Sequence, residues 1–103
     1  MLVTTTSAPV FSPDHTRALR VTDHDEGGLG GSTTVDVFWD HGLHSNMIFN
    51  GGWKQVEAKD VRWLSNSEIL LPYSLISPEY RPDVCKGFAE IKVTCIPVPT
   101  PSH

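Results

Sequence analysis

A mainly β fold, a small barrel or curled antiparallel sheet with little helix, is predicted by three features of the chain. Residues 33–47 alternate apolar and polar side chains on both sides of Asp40-His41-Gly42, and a period of two is the signature of a strand with one buried face. Turn-forming residues recur at short intervals, with eight glycines and eight prolines in 103 residues. Charged residues are few, at 19%, which with the turn residues suits short strands joined by many turns.

Residues 1–16, rich in Thr, Ser and Pro, read as an extended arm, either frayed or laid across the domain. Residues 17–98 make a single β-domain. Its first strand is predicted at Arg17–Thr22, where Leu19 and Val21 alternate with polar residues, and Asp23–Ser32 is predicted as a long flexible loop. The hairpin that follows is assigned a three-residue loop, Asp40–Gly42, with Gly42 in the left-handed conformation that costs glycine least. Trp39 then faces Leu43, Val37 faces Ser45 and Val35 faces Met47 on an inward side, while Phe38 and Asp36 point outward. Asn50-Gly51-Gly52 marks the next reversal. Short strands are expected at Trp53–Val56 and Val61–Leu64, separated by a 3₁₀ turn over Glu57–Asp60. Glu68–Ile76 contains Pro72, which predicts an edge strand or an irregular segment. Ser77–Asp83 is a proline-bounded loop, and Val84–Val98 is expected to close the domain as one strand with Ala89, Ile91, Val93 and Cys95 on one face. The tail, residues 99–103, is predicted to be flexible.

Composition narrows the functional classes. The formal charge is −4, with 8 Lys and Arg against 12 Asp and Glu, and the basic residues are scattered singly. That argues against a nucleic-acid partner, because phosphate binding needs clustered cations to release counterions. The first ten residues lack the basic start and continuous apolar run of a secretory signal, and no segment approaches the ~20 apolar residues of a membrane span. A cytoplasmic protein with no membrane association is the expectation. The two cysteines are expected to be reduced thiols: ten residues of continuous strand would hold Cys85 and Cys95 about 33 Å apart, and only a hairpin near Gly87 would join them.

Val35, Val37, Trp39, Asp40 and Gly42, followed by Lys59, Asp60, Val61 and Trp63, form a pattern that resembles the SH3-like small barrels of the Tudor and chromo-barrel kind. The likeness spans residues 17–64, and about forty residues follow the point at which such a barrel would close. The resemblance implies a non-enzymatic interaction module that binds a protein or peptide partner through an exposed aromatic patch. Phe38, Trp53, Trp63 and Tyr73 are the partner-binding candidates, since aromatic faces attract cations and dock polyproline segments. Burial is the commoner fate of tryptophan in a small β-domain. Trp39 and Trp63 are accordingly expected in the core, and Phe38 is the preferred exposed aromatic.

Asp23, Asp25 and His44 are candidate metal ligands, because carboxylates and imidazoles suit zinc and Asp-x-Asp-x-Gly opens a calcium loop. The calcium pattern then fails, since the twelfth position is Thr34 where a bidentate Glu belongs. A metal-binding protein or metal-assisted hydrolase is therefore an alternative, with a hydrated acidic loop as the plainer reading of Asp23–Glu26. No motif for nucleophilic catalysis or nucleotide binding occurs, so no catalytic residue and no cofactor is assigned. A homo-oligomeric structural or accessory protein, pairing through Glu68–Ile76 or the last strand, is the remaining alternative.

Overall fold

The computed structural model describes residues 3–27, 30–75 and 81–99. The fold is mainly β, and its sheets do not close into a barrel. The strands are β1 (Val3–Thr6), β2 (Val10–Phe11), β3 (Arg17–Asp25), β4 (Gly31–Trp39), β5 (His44–Gly52), β6 (Arg62–Ser65), β7 (Glu68–Leu75), β8 (Val84–Cys85) and β9 (Lys92–Pro99). The larger sheet has the order β1-β3-β4-β5-β8, with β2 also paired to β3, and the smaller has the order β6-β7-β9.

Alternation along β3 and β4 decides where the core lies. Leu19 and Val21 on β3, and Thr33, Val35 and Val37 on β4, are buried, so the intervening residues belong to the opposite, outer face of the larger sheet. Val35 and Val37 are 0% exposed, each worth roughly 1.5–3 kcal/mol against leaving it in water. They form one cluster with Ile48 and Phe49 of β5, Val56, Val61, Ile91, and Ile69 and Leu71 of β7. The inner faces of both sheets thus share a single core.

The hairpin β4–β5 departs from the expected register. Its connection has four residues, Asp40–Leu43, and Trp39 pairs with His44 rather than Leu43. Asp40, His41 and Gly42 all have positive φ, at 56°, 57° and 83°. Aspartate and histidine are among the non-glycine residues that tolerate this region best, so the reversal is not confined to the glycine. A second shift follows between Val35 and Asp36, where Val35 pairs with Phe49 but Asp36 with Met47. Ile48 is the surplus residue of this bulge, and the local bend allows Ile48 and its neighbour Phe49 both to be buried. Val35 and Val37 point inward as expected, whereas Leu43 and Ser45 are exposed.

Several other expectations are corrected. Asp23–Asp25 extends β3 and Gly31–Ser32 begins β4, so the predicted long loop shrinks to residues 26–30. The arm is laid along β3: Thr6 pairs with Thr22 and Val10 with Leu19, which leaves one extra residue in the arm next to Pro9, a bulge where a missing N–H is tolerated. Trp53–Val56 is not a strand, while the 3₁₀ turn is present at Ala58–Asp60. β7 lies between β6 and β9 instead of at an edge, but β6 reaches only to Leu70, which leaves Pro72 an open side for its absent N–H. Residues 84–98 are two strands, not one, reversed by a turn between Phe88 and Ile91. That turn brings Cys85 and Cys95 into a disulfide with Cα atoms 6.4 Å apart, so the cysteines are not free thiols. β9 runs parallel to β7. Of the predicted loop at Ser77–Asp83, Ser77–Tyr80 lie outside the described residues, as do Thr100–His103 of the tail, whereas Pro99 ends β9.

Gln55 ties the two sheets together. It is 2% exposed, and its Oε1 accepts the Gly52 N–H at 2.6 Å while its Nε2 donates to the Ser74 carbonyl at 3.0 Å. Gly51 must lack a side chain here, because a Cβ would overlap Gln55 Oε1 and crowd the Phe49 ring. Among the described residues no helix is long and apolar enough to cross a membrane.

Candidate functional site

A groove of about 820 Å³ lies at one end of the larger sheet, lined by residues that include Phe11, His15, Ala18, Arg20, Phe38 and His41. Its floor follows from strand register. Phe11 pairs with Ala18 and Ala18 with Phe38, so these three outer-face side chains stand in one row across β2, β3 and β4. Strands lie about 4.8 Å apart, which separates Phe11 from Phe38 by roughly two such spacings, with only the Ala18 methyl between them. Phe11 is 50% exposed.

Two hairpin turns flank this row. In the first, Ser12-Pro13-Asp14-His15 closes with the His15 N–H on the Ser12 carbonyl at 2.9 Å, and proline at the second position presets the turn. The Ser12 hydroxyl is buried; it donates to Asp14 Oδ1 at 2.9 Å and accepts the Arg17 N–H at 3.1 Å. The same Oδ1 accepts the Thr16 N–H at 3.0 Å and the Thr16 hydroxyl at 2.7 Å. These bonds, the Thr16 backbone foremost, hold the Asp14 carboxyl below its ordinary value. Asn66 anchors the turn to the smaller sheet, accepting from the Asp14 N–H on its side chain and from Arg17 on its carbonyl. His15, at φ 61°, stacks on Phe11 with ring centroids 5.1 Å apart.

The second turn is Asp40–Leu43. The Gly42 N–H donates to the Trp39 carbonyl at 3.2 Å and the Leu43 N–H to the Asp40 carbonyl at 3.0 Å. Asp40 lies 3.5 Å from His44 Nε2. Trp39, on the inner side of β4, stacks against both His44 and Phe88. Among the described residues, three of the five non-glycine residues at positive φ, His15, Asp40 and His41, line this groove. Backbone held in sparsely populated conformations tends to gather at ligand sites.

Charge is uneven around the groove. Arg17 is committed, through Nη1 to the Asn66 carbonyl at 2.8 Å and through Nη2 to Glu90 at 3.7 Å. Arg20, three residues further along β3 and on its outer face, sits opposite Asp36 on β4, yet its guanidinium makes no ion pair or hydrogen bond among the described residues. Asp36 is half-buried, and loss of water pushes its carboxyl up, with His24 opposing.

The aromatic residues predicted to share a patch are dispersed. Phe38 is half-buried on the groove floor. Trp63 packs on the core and donates its Nε1–H to the Val10 carbonyl at 2.9 Å, and Tyr73 packs on the core beside Phe49 at 6.0 Å. Trp53 covers Gly31 at the far end of β4, with Lys54 Nζ 5.3 Å from its ring. Trp63 and Tyr73 are partly buried against the core and do not line the groove beside Phe38.

Asp23, Asp25 and His44 do not assemble. Asp23 pairs with Thr33 and His44 with Trp39, six residues apart on β4, or about 20 Å. Asp23 accepts the Thr33 hydroxyl at 2.6 Å and Asp25 the Gly27 N–H at 2.8 Å. Among the described residues no group of three or more His, Cys, Asp or Glu is placed to hold a metal ion.

Phe11, His15, Ala18 and Arg20 were not singled out from the sequence. The alternation of Leu19 and Val21 already places Ala18 and Arg20 on the outer face, but Phe11 joins them only through the pairing of the arm. Comparison of the chain with family models, with curated proteins and with solved structures finds no match.

Proposed function

We propose that the chain is a non-enzymatic binding module that takes a protein or peptide segment in the groove between Phe11 and Phe38. The observation that carries this reading is the row Phe11, Ala18, Phe38: two aromatic side chains flanking a methyl on a water-facing sheet. Isolated exposed apolar residues are ordinary, but a shaped apolar slot with polar rims is the usual form of a docking site. The first turn is braced by the Asp14 and Asn66 hydrogen bonds and the second by the Gly42 and Leu43 N–H bonds to Trp39 and Asp40, so the slot is formed before a ligand arrives, which lowers the ordering cost of binding. The Cys85–Cys95 bond supports an oxidising location, where disulfides persist, in place of the cytoplasmic one expected from the sequence.

Selection of random dodecapeptides on the purified chain tests this reading. Enriched peptides should lose binding to Phe38→Ala while its melting temperature stays within a few degrees of the parent. Failure to enrich any sequence, or enrichment indifferent to Phe38→Ala, would remove the groove from the account.

A second reading, self-association, is favoured by β1. Val3-Thr4-Thr5-Thr6 is exposed throughout and paired only to β3. It carries neither charge nor proline, the devices that usually protect an edge. A monomeric mass by sedimentation at high concentration would exclude it.

A further inference from the structure

We infer that the groove selects an acidic extended peptide, one that seats an apolar side chain over Ala18 and a carboxylate, two residues on, at Arg20. This rests on the binding-module reading above and adds the charge and spacing of the ligand.

Charge complementarity carries the inference. The chain as a whole is acidic, at −4, yet Arg17, Arg20, His15 and His41 line the groove with Asp40 as the one carboxylate. Asp40 is drawn to His44 and Arg17 to Glu90 and Asn66. Of the two arginines that line the groove, Arg20 is the one whose guanidinium has no partner among the described residues, although Asp36 faces it in the register. A guanidinium at the rim of an apolar slot that forms no ion pair with the carboxylate across from it keeps its donors for a bidentate anion. Spacing agrees with this. Ala18 and Arg20 share the outer face two residues apart, about 6.8 Å along β3, and in an extended peptide residues i and i+2 repeat at the same interval on one side.

The test is an amide-detected NMR titration of the oxidised chain with acetyl-Ser-Leu-Ser-Glu-Ser-amide and with the Gln and Lys versions at the fourth position. Shifts at Ala18, Arg20 and Phe38 should saturate roughly fivefold earlier for Glu than for Gln, and latest for Lys. Arg20→Gln should erase the Glu over Gln preference without changing Gln binding, and Phe11→Ala should weaken all three. Equal binding of the three peptides would overturn the charge assignment while leaving the groove as a peptide site. No shift at these amides with any of them would overturn both. Shifts with pentathymidylate and none with the Glu peptide would replace the acidic peptide by a nucleic-acid strand.

Discussion

Removing the Cys85–Cys95 crosslink is the perturbation whose effect follows most directly from the chain's covalent connectivity. The two cysteines are separated by 10 residues. Closing a loop of that size takes about 9 cal/mol/K of entropy from the unfolded chain, or about 2.7 kcal/mol at 25 °C. The bond joins β8, at the edge of the larger sheet, to β9 of the smaller one, so its loss also loosens the tie between the layers. For a chain near this size each kcal/mol moves the melting temperature by about 4–8 °C, which predicts a fall of roughly 10–20 °C. Calorimetry of the oxidised protein, of the same sample in a phosphine reductant, and of the Cys85→Ala, Cys95→Ala double variant measures this. The reduced and double-variant samples should melt together, below the oxidised one. Three coincident melting curves would refute the reasoning, because they would mean that the crosslink does not constrain the unfolded ensemble.

Phe49→Ala removes a ring that is 0% exposed and packed beside Tyr73; a loss of about 3–5 kcal/mol is expected, measured by urea denaturation. Asp36 has its carboxyl raised by burial, so the folded state favours its protonated form. That contribution is present below the ordinary value of 3.8 and is lost as pH rises through the raised one. Asp36→Asn should therefore raise the melting temperature at pH 7 and bring little change at pH 3. Asp14 has the opposite sign: hydrogen bonds hold its carboxyl below 3.8, so its stabilisation is complete above that value and drains away as pH falls through the lowered one. An Asp14→Asn variant should show a shallower acid limb in a melting-temperature profile, and a limb as steep as the parent's would count against the hydrogen-bonded turn.

The parts of the fold written in the sequence are those governed by local alternation. Leu19 and Val21, and then Val35 and Val37, announce their strands and their buried face without help from distant residues. Register was harder to read. Met47, Ile48 and Phe49 form a continuous apolar run, in which a bulge and a regular strand look alike, and the left-handed turn uses Asp40 and His41 as well as Gly42. Pairings between distant segments were beyond reach. Pro72 argued for an edge because the short reach of β6 is a tertiary fact, and the cysteines looked too far apart because the turn at Phe88–Ile91 carries no strong signal. The site divides in the same way. Phe38 was legible from parity alone, whereas Trp63 and Tyr73 owe their partial burial to Val10 and Phe49 of the larger sheet, and Phe11 owes its place in the groove to an arm that the sequence left free to fray.

The parallel alignment of β7 and β9 bears on how the molecule assembles. Parallel neighbours cannot be joined by a tight hairpin, and here the chain leaves β7, adds β8 to the β5 edge of the other sheet and only then returns as β9. Contacts so remote along the backbone place such topologies among the slower-folding small domains, in the millisecond-to-second range. Until β9 pairs with it, the flank of β7 carries unpaired backbone groups.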